Sequence, residues 1–96
     1  MIVNVCTVFH LKEIMGENKI EVELPQNSSL LDLIDELCSR YGEAFYSALF
    51  DDASAKRLKP GLQLLVNGRN MRYLEHFHTK LRDGDEIVFL PFAAGG

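Results

Sequence analysis

The chain has 96 residues, enough for one domain with a single modest core and too few for two. It is 47% apolar and 9% aromatic with a net charge of −4, which fits a soluble globular fold and argues against nucleic-acid binding, since that needs a positive footprint. With no run near the length of a membrane span, no signal peptide after Met1 and only two cysteines, a cytoplasmic protein is expected, with Cys6 and Cys38 as buried free thiols.

Residues 2–9 are rich in β-branched side chains and predict a strand. Gly16-Glu17-Asn18 predicts a turn, after which Ile20, Val22 and Leu24 alternate with Lys19, Glu21 and Glu23, the pattern of a strand with one wet face. The two strands predict a hairpin whose long loop covers residues 11–18. Pro25-Gln26-Asn27 ends the second strand. Ser29, with Asp32 three positions on, predicts a capped helix over 29–41, its apolar face built from Leu30, Leu33, Ile34, Leu37, Cys38 and Tyr41. Gly42 ends it, and a shorter helical piece is expected over 43–50. Residues 51–61 are polar, basic and close on Pro60-Gly61, which predicts a surface loop.

Leu62–Val66 predicts a strand, Asn67-Gly68 a tight turn and residues 69–73 a returning strand. A connector over 74–81 has room for a helical turn, and Asp83-Gly84-Asp85 turns the chain into a last strand, Glu86–Pro91. The order β-β-α-β-β-β has one main helix, which covers one face of a sheet, so the class is an α+β roll in a single domain, 1–96, with a tail at 92–96.

The first and last strands are apolar on both alternating sets: Val3, Val5 and Phe9 against Ile2, Cys6 and Val8, and Ile87 and Phe89 against Val88, Leu90 and Phe92. One helical layer accounts for one set. The other predicts either an interface on the far face or a loop that covers it. Charge is also uneven: residues 1–52 hold ten acids and three bases, residues 53–96 four acids and seven bases. Two readings fit this asymmetry, a solvated surface or a dipole that steers a protein partner.

Motifs for an enzyme are absent. The sequence has no phosphate-binding glycine loop, no dinucleotide fingerprint and no paired cysteines. His76 and His78 form an H-x-H pair without a third ligand in a nearby motif, so no metal is expected, and Asp83 and Asp85 read as turn residues. The chain then closes on Phe92-Ala93-Ala94-Gly95-Gly96. This ending is either a frayed tail or the working group itself. An ionised α-carboxylate is a poor electrophile and becomes an acyl donor only after activation by another protein. Five extended residues reach at most roughly 16–18 Å, enough to thread a partner's channel, and glycine allows close backbone approach.

Four motifs together resemble the ubiquitin-like sulfur-carrier family, which includes the small subunit of molybdopterin synthase, the thiamine sulfur carrier and the archaeal small modifier proteins. They are Leu11-Lys12-Glu13 with Gly16, Leu65-Val66-Asn67-Gly68-Arg69, Thr79-Lys80-Leu81-Arg82-Asp83-Gly84-Asp85-Glu86, and the ending Pro91-Phe92-Ala93-Ala94-Gly95-Gly96. The chain departs from the pattern at Val8-Phe9, where Phe-Ala is usual, and at Phe92-Ala93, where Pro-Val is usual.

The resemblance implies a β-grasp fold with a mixed sheet of four to five strands, and a carrier with no catalytic residues and no bound cofactor. An adenylyltransferase resembling ubiquitin-activating enzymes would use ATP to activate the Gly96 carboxylate, with Gly95 beside it. Sulfur would then be carried as a thiocarboxylate to the large subunit of molybdopterin synthase. Phe92, Ala93 and Ala94 would occupy the partner's channel, and Phe89 or Val88, whichever faces away from the helix, would dock the partner. A covalent modifier that acylates lysines of target proteins through Gly96 is implied equally by the Gly-Gly ending, while a thiamine or other sulfur carrier is a further alternative that the 96-residue length and the loop 51–61 fit less well. An adaptor that works through the sheet face alone is the third class.

Overall fold

The hydrophobic alternation read at both ends of the chain resolves into two adjacent central strands. The structure, a computed structural model, describes residues 1–52 and 57–91, the side chains of Asp52 and Pro91 excepted. β1 (Ile2–Thr7) and β2 (Lys19–Glu23) form the expected antiparallel hairpin, with Val3 opposite Val22 and Val5 opposite Ile20. Their connection is not the open loop expected over 11–18. Phe9–Met15 form a helix, α1, because Leu11 and Met15, one turn apart, both find the core. Gly16, at φ +81°, closes it by donating its N–H to the Lys12 carbonyl at 2.8 Å.

Helix α2 (Leu30–Tyr41) is the expected one. The Ser29 hydroxyl accepts the Asp32 N–H at 3.2 Å, and the Asp32 carboxylate accepts the Ser29 N–H at 2.8 Å, so two otherwise orphaned donors are satisfied. The Ser29 N–H, and after it the Ser29 hydroxyl, hold the Asp32 carboxyl below its usual pKa. Leu30, Leu33, Ile34 and Leu37 are buried, while Cys38 and Tyr41 are half-buried at the edge of the same face. Helix α3 (Glu43–Leu49) follows and inserts Phe45, whose ring meets Phe89 edge-on at 6.0 Å.

The stretch 51–61 carries strand structure where a loop was expected. β3 (Phe50–Asp52) pairs antiparallel with β4 (Arg57–Leu58) as a separate two-stranded ribbon. Phe50 anchors it, buried against the rings of Tyr46 and Phe77. β5 (Leu62–Val66) and β6 (Arg69–Asn70) flank Asn67 and Gly68, both left-handed as a tight hairpin turn requires. The returning strand is shorter than expected. After Asn70 the chain winds into a 3₁₀ turn, Met71–Tyr73, which buries Met71 while the Asn70 side chain accepts the Arg72 N–H at 2.9 Å. A second 3₁₀ turn, His76–His78, occupies the connector, and β7 (Glu86–Pro91) ends the described chain.

The sheet order is β2-β1-β7-β5-β6, with β1 and β7 parallel and the other pairings antiparallel. One face supplies Val3, Val5, Val22, Leu64, Val66, Ile87 and Phe89 to the cluster shared with α2 and α3. This is the α+β roll read from the sequence.

Candidate functional site

Burial alternates along every strand of the sheet, so the register fixes what stands on the face away from the helices. Cys6 pairs with Val88, and Val88 pairs with Leu65. All three are half-buried. At the usual strand spacing of about 4.8 Å they form an apolar row roughly 10 Å across. Lys19 and Asn70 end the row on the outer strands. Beside it on one side runs a polar row, Glu21, Asn4 and Glu86. On the other side Leu90, 37% exposed, pairs with Gln63. The apolar surface therefore extends through Leu90 toward the end of β7, from which residues 92–96 continue.

This placement corrects one expectation and narrows another. Phe89 has no exposed surface and packs on Phe45, so it belongs to the core and does not meet a partner. Strand alternation puts its neighbour Val88 on the far face instead. Phe92, Ala93, Ala94, Gly95 and Gly96 lie outside the described residues. The sequence did not single out Leu65, although the pattern Leu64, Leu65, Val66 carried the signal of a strand apolar on both sides. It also placed Phe9 within the first strand. Phe9 instead opens α1 at φ +55° and is 72% exposed. Thr7 pairs with Phe89, so Phe9 lies at the sheet end where β7 reaches Pro91.

Two of the sequence motifs turn out to be halves of one clamp. The Asn67 amide donates to Asp85 Oδ1 at 2.8 Å and accepts the Glu86 N–H at 2.9 Å. Asp85 Oδ2 accepts the Arg82 N–H at 2.8 Å, Asp83 Oδ1 accepts the Ile2 N–H at 2.7 Å, and Gly84 donates to the Ile2 carbonyl. Asp83 and Asp85 are thus occupied in fixing the entry to β7 beside β1 and β5. The preceding Thr79 donates to the His76 carbonyl at 2.7 Å, while Leu30 N–H and Leu81 N–H tie that segment to the start of α2. Together these contacts fix where the chain enters β7.

Other reactive groups are set for structure rather than reaction. Cys6 is a free thiol, and its pKa is raised, first by burial and then by the Glu86 carboxylate, so it is held as the weakly nucleophilic thiol. Cys38, at the edge of α2, forms no disulfide. His76 and His78 are both exposed, and no group of three potential ligands gathers around a metal position among the described residues. No helix among these residues is long and apolar enough to cross a membrane.

With this geometry in place, likeness to known proteins becomes informative. A family model described as the ThiS family matches residues 9–96. A relative in Archaeoglobus fulgidus described as a sulfur carrier protein is 33% identical over 81 residues, covering 84% of this chain and 85% of its own. The solution structure of small archaeal modifier protein 1 from Methanosarcina acetivorans matches with a TM-score of 0.81 at 29% identity, over 99% of this chain and 96% of that one. A structure described as molybdopterin converting factor, subunit 1, from Pyrococcus furiosus gives 0.76 at 26% identity, over 97% and 99%. The β-grasp, ubiquitin-like fold implied by the four motifs is the fold observed.

Proposed function

The chain belongs to the ThiS family of ubiquitin-like sulfur carriers and modifiers, and on that premise we propose that it carries sulfur on its C-terminal carboxylate for molybdopterin synthesis. The observation that carries the proposal is the family match running through Gly95-Gly96. A Gly96 carboxylate oxygen attacks the α-phosphorus of ATP in an activating adenylyltransferase, and pyrophosphate leaves. A sulfide-equivalent nucleophile supplied by a partner then attacks the acyl carbon and AMP leaves, giving the thiocarboxylate. The tail presents this sulfur within the large subunit of molybdopterin synthase, and the partners supply the catalytic groups. Phe92, Ala93 and Ala94 occupy the channel through which Gly95 and Gly96 reach the reacting atoms.

The body has a separate task. Fixing a chain segment in a partner's channel costs on the order of 1–2 kcal/mol per residue, and docking through Val88, Leu65 and Leu90 helps offset it. The likeness to the Pyrococcus furiosus structure supports the molybdopterin branch. Cys6 and Cys38, neither in a disulfide, accord with a reducing cytoplasm. The deciding measurement is the intact mass of the protein isolated from its sulfur-replete host. A fraction with one oxygen replaced by sulfur is expected, and its complete absence with the activating enzyme present refutes the carrier role.

The likeness to a small archaeal modifier protein favours a second reading, acylation of target lysines by activated Gly96. Peptides from digested host proteins that bear this tail on lysine would establish it.

A further inference from the structure

A second surface reaches the end of β7 from the opposite flank. A groove of about 320 Å³ opens between β4, the start of β5 and the two 3₁₀ turns. Leu62 and Phe77 contribute apolar surface to it, and Arg57, Lys59, Arg72 and His76 surround them, all four exposed. None of its described lining residues is acidic, in a chain whose net charge is −4. Lys59 and Arg72 enter no ion pair among the described residues. The contrast with the groove between the end of β2 and α2 is sharp, since Asp32, Asp35 and Glu36 line that one without a single base. The two grooves are therefore of opposite sign.

Position gives the basic groove its significance. Leu62, on its wall, is the register partner of Pro91, the last described residue before the tail. A protein that draws five residues of tail into its interior, a reach of at most roughly 16–18 Å, must bring its channel mouth against this end of the body. We propose that the groove receives an acidic polypeptide segment of the activating adenylyltransferase, beside the mouth of the channel that takes the tail. This rests on the carrier reading above and adds to it how the enzyme recognises its carrier. Charged side chains at the rim act chiefly on encounter and orientation, so the groove aligns the body before the tail threads.

The test uses the full chain and the adenylyltransferase of the same cells, with pyrophosphate release for turnover and calorimetry for binding. The double variant Lys59→Glu/Arg72→Glu is expected to raise the KM for the carrier about tenfold or more at low salt, with kcat changed less than about twofold. The difference should collapse near 1 M salt, where the screening length is about 3 Å. Lys59→Gln/Arg72→Gln should move KM in the same direction by less. Arg40→Glu, a charge reversal on α2, should leave it near the parent value. An unchanged KM and Kd in the reversed variant, a shift indifferent to salt, or an equal shift from Arg40→Glu overturns the proposal. So does self-association of the parent chain that the double variant abolishes, because the occupant is then a second copy. If the parent chain supports no pyrophosphate release, the carrier reading falls, while the calorimetric Kd values still decide the groove.

Discussion

Val88 and Phe89 are adjacent on β7, and exchanging each should fail in a different way. Phe89 is fully buried and stacks edge-to-face on Phe45. Phe89→Ala removes its packing and leaves a cavity, a loss of about 3–5 kcal/mol, to which the lost aromatic pair contributes up to about 1.5 kcal/mol. A domain of this size has a total stability of about 5–14 kcal/mol. The variant should therefore melt more than about 10 °C lower or fail to fold. Val88→Lys gives up only half of a valine's burial, about 1 kcal/mol, and the lysine stem can lie along the sheet with its ammonium in water near Glu86. This variant should stay folded, yet lose about 2 kcal/mol or more of affinity for the synthase large subunit or the activating enzyme if Val88 anchors the interface. Thermal unfolding and titration calorimetry on both variants provide the readout. A Val88→Lys chain that melts as low as Phe89→Ala would mean that the far face is core. A Val88→Lys chain that binds normally would mean that the row Cys6, Val88 and Leu65 is not the docking surface.

Three further outcomes follow from named residues. Adding one residue after Gly96 should abolish adenylation, measured as pyrophosphate exchange, while the melting temperature stays within about 2 °C, since changes at a chain end usually stay within about 0.5 kcal/mol. Ser29→Ala should lower stability by about 1 kcal/mol through the lost cap. Because the fold depresses the Asp32 pKa, that carboxylate stabilises the native state above its unfolded pKa of about 4, and the contribution disappears as pH falls through the lower folded value. Ser29→Ala should flatten the acid limb of a stability–pH curve below about pH 4 only in part, since the Ser29 N–H that contributes most is kept. Asp32→Asn should remove that limb's contribution, and an unaltered limb in Asp32→Asn would refute the link. Phe9→Gly should raise stability by about 0.5–1 kcal/mol in urea titrations, because the left-handed conformation at φ +55° costs a bulky residue about 1–3 kcal/mol and glycine's extra chain entropy returns only part of that. A loss of stability would show that the exposed ring packs usefully.

The sequence by itself determined the elements whose signals are local. Ser29 with Asp32 announced α2 because a capping box needs only neighbours three residues apart. Asn67-Gly68 announced its turn because two consecutive left-handed residues are inexpensive only for such a pair. Four motifs in register sufficed for the family, and the final glycines for the candidate chemistry. What the sequence left open was every question of sides. Val88 and Phe89 are equally apolar, and strand periodicity says that they face opposite ways without saying which faces the helices. The parallel pairing of β1 with β7 and the seating of Phe45 on Phe89 decided it. Helix α1 escaped notice for a similar reason: seven residues offer barely two turns of periodicity, and its stability comes from Leu11 and Met15 reaching a core assembled by distant strands. The short ribbon of β3 and β4 depends likewise on Phe50 meeting Phe77, twenty-seven residues on. The basic residues were visible one by one, but only the fold gathered Lys59, Arg72 and His76 around a single groove at the end of the sheet where the tail begins, because contacts between residues far apart in sequence are made by tertiary packing and not by local propensity.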